Sequence, residues 1–348
     1  MKINQLSLEN YRNFKNLNLD LSERVLIVGD NGVGKSNLLE AAYLLASGHT
    51  KRAETEKEVI LVGLDYAKIR AQVRLEGEDY LLDLTLNLGG QDRVSKAGSV
   101  NNVKKGFSQF FGFLKAVEFS PEDINLVLGS PDLRRRYLNS VLNQASLEYR
   151  QNFKLYERTR KEKNALLFQI KEGSDKREDL DLWNEQIANF GFIVNKIRDE
   201  YLKFLTDNTH DLVFEYSPSE ISLKRLREFE EREIAAGVSL IGPHRDDFRF
   251  LTKASKTQLE NLAKFGSRGQ ERLAVFELKI GEINYFRKRL KVEPILLLDD
   301  VFSELDKEHR HGVFKRLELE KSEQVIFTAT SAENLEEIDF KDVKKIEL

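Results

Sequence analysis

The sequence predicts an α/β fold in which mixed β-sheets from both ends of the chain flank an inserted α-helical lobe. Three observations lead to this prediction. Segments of alternating apolar and polar residues open the chain, a glycine-rich loop stands between a buried strand and a helix, and long charged helices occupy the middle. Strand and helix signals then return toward the C-terminus. A chain of 348 residues with 41% apolar content can form about two domains with a buried core.

The N-terminal third reads as strands around one helix. Apolar and polar residues alternate through residues 3–28, which end in the short buried run 25–28. A glycine-rich loop follows directly, and a helix is predicted from Asn37 to near Gly48. Residues 66–88 alternate again, and their glycine breaks predict antiparallel hairpins.

Long helices are predicted beyond Pro121. One helical run covers about residues 132–170, and apolar residues recur every three or four positions in 179–205. The Gly173-Ser174 break between them allows an antiparallel helical hairpin. Two buried runs at 295–298 and 325–327 then restore the α/β pattern.

These signals predict a discontinuous domain with an insert. We expect residues 1–120 and 236–348 to form the α/β head and residues 121–235 to form the helical lobe.

Composition limits the kinds of site that the chain can hold. It has 55 Lys and Arg against 58 Asp and Glu, so the net charge of −3 makes any nucleic-acid site a local patch. The absence of cysteine excludes disulfides, thiolate zinc sites, Fe–S clusters and a cysteine nucleophile. No signal peptide is visible, and no apolar run approaches the length of about 20 residues that a membrane span needs. We therefore expect a cytoplasmic protein without a membrane segment.

Residues 29–36 match the phosphate-loop pattern G-x-x-x-x-G-K-[ST]. In this pattern, backbone N–H groups surround phosphates, Lys35 neutralises their charge and the Ser36 hydroxyl reaches Mg²⁺. The position of the loop between an apolar strand and a helix favours nucleotide binding over an ordinary glycine turn. The predicted nucleotide-binding residues of this segment are Gly29, Asp30, Asn31, Gly32, Val33, Gly34, Lys35, Ser36 and Asn37.

A pair of acidic residues follows the buried run at 295–298. Asp299 is the predicted carboxylate on the Mg²⁺ side, together with Ser36. Asp300 is the candidate for aligning or deprotonating the attacking water. Asp300 and Lys35 are the predicted catalytic residues. A pair of Asp residues at a strand end can also cap the next turn.

Another helix start lies near the C-terminal region. Ser267, Arg268, Gly269 and Gln270 precede a helix predicted from Glu271 to about residue 289. They either cap that helix or bind an anion. Because one nucleotide rarely needs two such helix ends in a single chain, the second would serve the nucleotide of a partner subunit. This interpretation predicts an ATP-dependent homodimer.

Together these motifs resemble the ABC-type ATPase heads of the SMC and Rad50 group. The insert is short and has no long heptad arm, so the whole chain is most similar to the RecF family of bacterial recombination mediators. The resemblance implies a P-loop ABC-type ATPase head with mixed sheets plus the inserted α-helical lobe. The stretches that support it are Asn10-Tyr11-Arg12-Asn13-Phe14, Ser120-Pro121-Glu122-Asp123, Gly242-Pro243-His244-Arg245-Asp246-Asp247 and Ser303-Glu304-Leu305-Asp306.

The resemblance also implies roles for individual residues. Asp299 becomes the Walker B carboxylate, and Ser267, Gly269 and Gln270 become signature contacts to the partner's nucleotide. Arg52 stands where the family has an arginine soon after the first helix, and we expect it to reach the nucleotide, with a solvated arginine as the alternative.

Three features stay open at this stage. Arg268 replaces a smaller or amide residue and can weaken or strengthen the signature contact. Residues 242–247 receive no functional role, and a strand-end turn in which Arg245 pairs with a carboxylate is the alternative. Position 330 is Thr where many such ATPases have His, so we expect modest turnover.

The function implied by the resemblance is an ATP-driven DNA switch. ATP would close a homodimer on double-stranded DNA and single-strand/double-strand junctions without sequence specificity, and slow, DNA-stimulated hydrolysis would release it. RecR and RecO are the implied partners, with RecA loading at gaps during recombinational repair, the SOS response and replication restart. Basic clusters such as Lys104-Lys105, Arg134-Arg135-Arg136 and Lys224-Arg225 are candidate DNA contacts.

Two rival functions belong to other classes. The nucleotide-binding subunit of a membrane transporter would use the same phosphate loop, but it does not account for the inserted lobe. A nuclease-linked repair ATPase would need a separate acidic metal-binding domain, which the sequence does not show, so we do not expect nuclease activity.

Overall fold

The computed structural model describes residues 1–53, 55–173, 177–209, 211–253, 259–300, 322–330 and 342–348. Its chain forms two compact units. The first unit contains residues 1–123, 143–145 and 282–348, and the second contains residues 124–142 and 146–281.

The first unit contains a six-stranded antiparallel sheet whose strands lie in the order β2-β1-β4-β5-β6-β7. Alternate residues of β1 and β4 are buried, as the period-two pattern predicted. The predicted hairpin within residues 66–88 is confirmed by the direct pairing of β4 with β5. The strands are β1 (Lys2–Tyr11), β2 (Phe14–Asp20), β4 (Tyr66–Leu75), β5 (Glu78–Leu88), β6 (Val94–Val100) and β7 (Val103–Lys105).

The second sheet of this unit is parallel and has five strands in the order β14-β3-β13-β12-β8. Strands β12 and β13 lie between β8 and β3 and are buried along their whole length, which explains their continuous apolar runs. The strands are β3 (Arg24–Val28), β8 (Ala116–Phe119), β12 (Ile295–Asp299), β13 (Val325–Ala329) and β14 (Lys344–Glu347).

Two α-helices of the described residues lie wholly within the first unit, α1 (Lys35–Ser47) and the short α2 (Phe107–Phe110). Helix α1 is buried almost throughout and contacts β8, β12 and β13. Gln324 joins the N- and C-terminal parts of the chain: its side chain accepts from the Ile3 N–H (2.8 Å) and donates to the Ile3 carbonyl (2.7 Å). The α/β class is confirmed, but no sheet of the described residues is itself mixed: parallel and antiparallel pairing is divided between separate sheets.

The described residues of the second unit are mostly helical and include a three-stranded antiparallel sheet in the order β11-β10-β9. Its strands are β9 (Leu212–Ser217), β10 (Asp247–Lys253) and β11 (Leu259–Asn261). The helices are α3 (Asn125–Leu128), α4 (Pro131–Ala145), α5 (Leu147–Lys171), α6 (Asp179–Asp207), α7 (Leu223–Ala236), α8 (Leu262–Phe265) and α9 (Arg268–Asn284). The last residues of α4 and α9 belong to the first unit.

Helices α5 and α6 form the predicted antiparallel hairpin. Leu167 near the end of α5 shares a buried cluster with Leu180 near the start of α6. At the other end, Arg198 of α6 bonds the Tyr149 hydroxyl of α5 at 3.1 Å. The single helix expected over residues 132–170 is wrong, because Ser146 is extended and its side chain caps α5.

Helix α9 also differs from its prediction. It begins at Arg268, ends as an α-helix at Asn284, and continues as one π-helical turn, Tyr285–Arg289. The second unit extends through residue 281, beyond the predicted lobe boundary at 235. The division into a head of residues 1–120 and 236–348 and a lobe of residues 121–235 stays a prediction.

No helix among the described residues is both long and apolar enough to cross a membrane.

Candidate functional site

The phosphate loop, residues 29–36, leaves the buried end of β3 and turns into α1. Gly32 and Gly34 have φ of +86° and +110°, a backbone region that favours glycine. A Cβ added at Gly34 would also lie 2.5 Å from the Phe14 ring. The motif therefore requires glycine at this position for two reasons, conformation and close packing.

The start of helix α1 faces the loop without a side-chain cap. Gly34 is the N-cap residue and has no side chain to satisfy the first N–H groups of the helix. The positive end of the helix dipole lies at the same place. Uncapped N–H groups and this dipole fit a phosphate group, so the nucleotide prediction and the local geometry agree.

Lys35 is folded back along the loop. Its Nζ donates to the carbonyl oxygens of Gly29 (2.6 Å) and Asp30 (2.9 Å), and its side chain is largely buried. These carbonyls hold the ammonium group over the loop. A phosphate seated at the α1 start would meet a cation that is already in place.

Ser36 and Asp299 come together across 263 positions of sequence. The Ser36 hydroxyl donates to Asp299 Oδ1 at 2.9 Å, and the Thr328 hydroxyl donates to the same oxygen at 2.7 Å. Asp299 is only 2% exposed. Parallel pairing of β12 with β13 aligns Asp299 with Thr328, and this register positions the carboxylate. Hydroxyl and carboxylate oxygens are suitable ligands for Mg²⁺, so Ser36 and Asp299 fit the predicted metal role.

Arg52 lies at the same carboxylate. Its guanidinium bonds Asp299 Oδ2 and also pairs with Glu122 at 3.3 Å. Burial disfavours the charged guanidinium, but Asp299, Glu122 and Glu118 outweigh this effect and raise the pKa of Arg52. The alternative of a solvated arginine is therefore wrong. Arg52 bonds Oδ2 of Asp299, whereas Ser36 and Thr328 both bond Oδ1.

Asp300 follows Asp299 in a left-handed backbone conformation, with φ of +48°. Its N–H donates to the Thr328 hydroxyl at 3.0 Å, which ties the residue to β13. Asp is one of the few non-glycine residues that tolerate this region. Its predicted role in aligning water stays a prediction, as does the effect of Thr330, which is exposed.

The hairpin tip between β1 and β2 braces the loop, and sequence reasoning gave it no structural role. Asn13 Nδ2 donates to the Val33 carbonyl (2.8 Å), and Asn13 Oδ1 accepts from Asn37 Nδ2 (2.8 Å). Arg12 donates through two nitrogens to Glu40 of α1, at 2.8 and 2.9 Å. The sequence signal for this contact was Glu40, an acidic residue within an otherwise apolar helix, and the structure shows that Glu40 is buried.

The second predicted phosphate-binding helix start lies in the other unit. Ser267, Arg268, Gly269 and Gln270 are all exposed. The Gln270 N–H donates to Ser267 Oγ (3.3 Å), and the Ser267 N–H donates to Gln270 Oε1 (2.8 Å). This reciprocal pair is a capping box. The capping interpretation is thus correct in the single chain, and the phosphate contact stays a prediction.

Comparison with known proteins identifies the family. The family profile described as RecF/RecN/SMC N terminal domain matches residues 2–346. A curated relative from Bacillus cytotoxicus, named DNA replication and repair protein RecF, is 33% identical over 99% of this chain and 96% of its own length. The chain belongs to the RecF family.

Solved RecF structures agree with this assignment. The structure described as RecF-ATP in the RecFOR pathway has a TM-score of 0.86 and 28% identity, covering 99% of this chain and 95% of that chain. The RecF-ATPrS structure has a TM-score of 0.84 and 28% identity, covering 99% and 96%. The predicted fold of a RecF-type ATPase head with inserted helices is confirmed.

Three of the RecF-like stretches have different outcomes. Residues 10–14 form the hairpin tip that braces the phosphate loop. In residues 242–247, Asp246 pairs with Arg198 at 2.7 Å. Among the described residues Arg245 forms no ion pair, so the alternative in which it pairs with a carboxylate is wrong there. Ser303-Glu304-Leu305-Asp306 lies outside the described residues.

Proposed function

We propose that this protein is an ATP-dependent DNA-binding recombination mediator that closes as a homodimer on DNA at single-strand gaps. The coarser part, a RecF-type ATPase of DNA repair and recombination, follows from membership of the RecF family. Slow, DNA-stimulated hydrolysis would act as the release switch and help RecA loading during repair and replication restart. We infer a cytoplasmic location from this role.

The observation that carries the ATPase proposal is the meeting of Ser36, Asp299 and Thr328 beside the uncapped start of α1. Ser36 and Asp299 would hold Mg²⁺, which neutralises phosphate charge when bound. Lys35 would bind the terminal phosphates, and Asp300 would orient or deprotonate the attacking water.

Arg52 would change partner in this scheme. Its guanidinium pairs with Asp299 in the structure. A cation bound at Asp299 would repel it, and a nearby phosphate would attract it. We therefore assign Arg52 to the nucleotide-bound state as a phosphate contact.

Homodimer formation is supported by the surface around the start of α9. Ser267, Arg268 and Gly269 are exposed, and a Cβ built on Gly269 would meet no atom within 4 Å. The nearby apolar side chains of Phe265 and Leu273 are 70% and 52% exposed. Exposed aromatic and aliphatic side chains beside polar ligand-binding groups are typical of an interface.

DNA and protein partners rest on the family and on local basic surfaces. Lys104, Lys105, Arg136, Lys154 and Arg158 are exposed, as contacts to a phosphate backbone require. We propose double-stranded DNA and its single-strand junctions as the ligand, read without sequence specificity. RecR and RecO are the proposed protein partners, in line with structural relatives described in the RecFOR pathway.

The test is the mass of the protein in solution together with duplex-DNA binding, without nucleotide and with ADP, ATP or a slowly hydrolysed ATP analogue. Lys35→Ala should abolish both responses to ATP. Gly269→Asp should bind ATP normally but fail to dimerise, because a carboxylate would repel the partner's nucleotide while leaving the monomer unstrained. Gly269→Ala is the matched control. A mass that ATP leaves unchanged in the wild type would refute the dimer switch.

The transporter-subunit alternative finds no support. The family profile and the relatives described above all belong to the RecF and SMC group.

A further inference from the structure

Residues 242–247, hereafter the 242–247 turn, form a rigid corner before β10. Gly242 has φ of +121°, and its N–H donates to Ser219 Oγ at 3.0 Å. Pro243 then opens a short 3-10 turn, Pro243–Arg245. Glycine freedom followed by a fixed proline φ determines the path of the backbone at this corner.

Asp246 anchors the turn from inside. It is fully buried and accepts hydrogen bonds from Arg198 (2.7 Å), the Ser219 N–H (2.8 Å), Asn195 (3.2 Å) and the Tyr216 hydroxyl. A buried ion pair stabilises a fold only when its remaining hydrogen-bonding positions are filled, and here several are. The network fixes the position of Asp246 and therefore of the residue before it.

The side chains of His244 and Asp247 also have hydrogen-bond partners within the second unit. The Tyr156 hydroxyl bonds His244 Nδ1 at 2.6 Å, and His244 Nε2 contacts the Ser239 carbonyl at 3.1 Å. Burial lowers the pKa of His244 to about 4, so the ring is neutral at pH 7. Asp247 accepts from Arg134 at 2.7 Å. Within the turn, both carboxylates have arginine partners and the imidazole is uncharged.

Arg245 is the exception in this arrangement. Its side chain is exposed, and within the described parts of the chain it forms no ion pair. The scaffold that immobilises its neighbours thus presents one guanidinium to solvent. A turn that served only to connect two elements would not require a cation at this position.

Two more arginines surround the same turn. Arg135 Nη1 donates to the Asp246 carbonyl at 2.7 Å and also pairs with the exposed Asp132. Arg160 pairs with Glu157 at 2.8 Å, and its charge, like that of Arg245, helps to lower the pKa of His244. Because Asp132 is exposed, water screens its pair with Arg135, and the pair can yield to a stronger acceptor.

We propose that the 242–247 turn is a phosphate-contact site for the backbone of duplex DNA, with Arg245 as its primary contact and Arg135 beside it. The inference rests on the proposed DNA-binding function and specifies one surface for it. A guanidinium fork matches two phosphate oxygens, and rigid presentation lowers the entropy cost of binding. Such a contact fixes the protein on DNA without reading bases.

The test measures binding of a labelled random-sequence duplex to the full chain with a slowly hydrolysed ATP analogue at several salt concentrations. Arg245→Gln should weaken binding about 5- to 10-fold and lower the slope of log affinity against log salt by about 0.9 for each phosphate that is no longer neutralised. Arg245→Lys should retain most of the slope. Lys203→Gln is the matched control, because it removes an exposed charge of the same unit that already pairs with Asp199.

The outcomes separate this inference from the proposed function. If Arg245→Gln and Lys203→Gln both keep the wild-type affinity and salt slope, the site is refuted while DNA binding stands. If the wild type binds no duplex in any nucleotide state, the proposed function fails and the inference fails with it. Equal weakening by Arg245→Gln of DNA and ATP binding would also refute a local DNA contact, since the variant would then act through general damage.

Discussion

The helices α1 and α9 begin in opposite ways. Gly34 precedes α1 and leaves its first turn without a side-chain cap, whereas Ser267 and Gln270 cap α9 reciprocally. Both helix starts were predicted to bind phosphate. At α1, no side-chain cap accepts a hydrogen bond from the first backbone N–H groups, which leaves them available for a ligand. A helix start that the chain does not cap is poised for a ligand, and a capped start must exchange its own hydrogen bonds for one.

The same contrast extends to the surrounding side chains. Lys35 bonds two carbonyls of a glycine-rich loop, while Asp246 is enclosed by donors from several elements of the second unit. Substitutions around the phosphate loop should therefore change ligand binding more than folding stability. Substitutions in the buried network of the second unit should do the reverse.

The largest effect is expected from Lys35→Ala. ATP affinity should fall at least about 100-fold, because the variant has no ammonium group to form a charge-assisted hydrogen bond with phosphate. The free energy of unfolding should fall by only about 1 kcal/mol, because the loss of two hydrogen bonds to carbonyls is offset by the removal of a charge from a largely buried position. Calorimetric titration with ATP and denaturant unfolding give the two values. Lys15→Ala, which removes an exposed lysine of the same unit, should leave ATP affinity unchanged. Wild-type affinity in Lys35→Ala would contradict the phosphate role.

His244 provides the opposite test in the second unit. Its pKa is about 4 in the fold, and an unfolded histidine has a pKa of about 6.5. Protons therefore bind the unfolded state more readily, and the stability due to neutral His244 is complete above pH about 6.5 and lost as the pH falls toward 4. The loss should reach about 3 kcal/mol at most. His244→Gln should flatten this part of the profile of unfolding free energy against pH.

ATP affinity at neutral pH is the internal control for His244→Gln and should not change. A profile with the same slope as that of the wild type would mean that carboxylates alone cause the acid sensitivity.

Much of this arrangement follows from local sequence. The phosphate loop, β12 with Asp299 and the α5–α6 hairpin were predictable because spacing and periodicity act over short distances. Thr328 was the hydroxyl at the end of an apolar run, but its role depends on the register of β13 against β12. A pattern within one strand carries no information about the register of its neighbour.

Ion-pair partners were the least predictable part of the site. Asp246 has Arg245 next to it in sequence, yet it pairs with Arg198, which lies 48 positions away on α6. Arg52 likewise reaches Asp299 across 247 positions. Such choices depend on which helix face packs against which strand end, so they require the tertiary structure.

Arg52 is intermediate between Lys35 and His244, because it stabilises the fold through its ion pair with Asp299 and is also proposed to contact the nucleotide. Arg52→Gln should lower the unfolding free energy of the nucleotide-free chain by about 2 kcal/mol, since Asp299 is buried and would lose its cation. A double-mutant cycle with Asp299→Asn, followed by denaturant unfolding in the presence of a chelator, isolates the pair. Additive effects of the two substitutions would show that the pair contributes nothing to stability.

The smallest effect is expected at the cap of α9. Ser267→Ala should lower the unfolding free energy by about 1 kcal/mol. Ser222 begins α7 in the same unit, and its Oγ accepts the Arg225 N–H at 3.3 Å, the same length as the bond from the Gln270 N–H to Ser267. Ser222→Ala should therefore cost a similar amount.

The two cap variants should differ only in their response to ATP. Ser267→Ala should raise the ATP concentration needed for dimerisation, because Ser267 is proposed to exchange its cap for the partner's phosphate. Ser222→Ala should dimerise like the wild type. Measuring mass against ATP concentration for both variants separates the roles, since equal loss of stability removes folding as the explanation. Wild-type dimerisation by both would leave Ser267 as a helix cap alone and would confine phosphate binding to the uncapped start of α1.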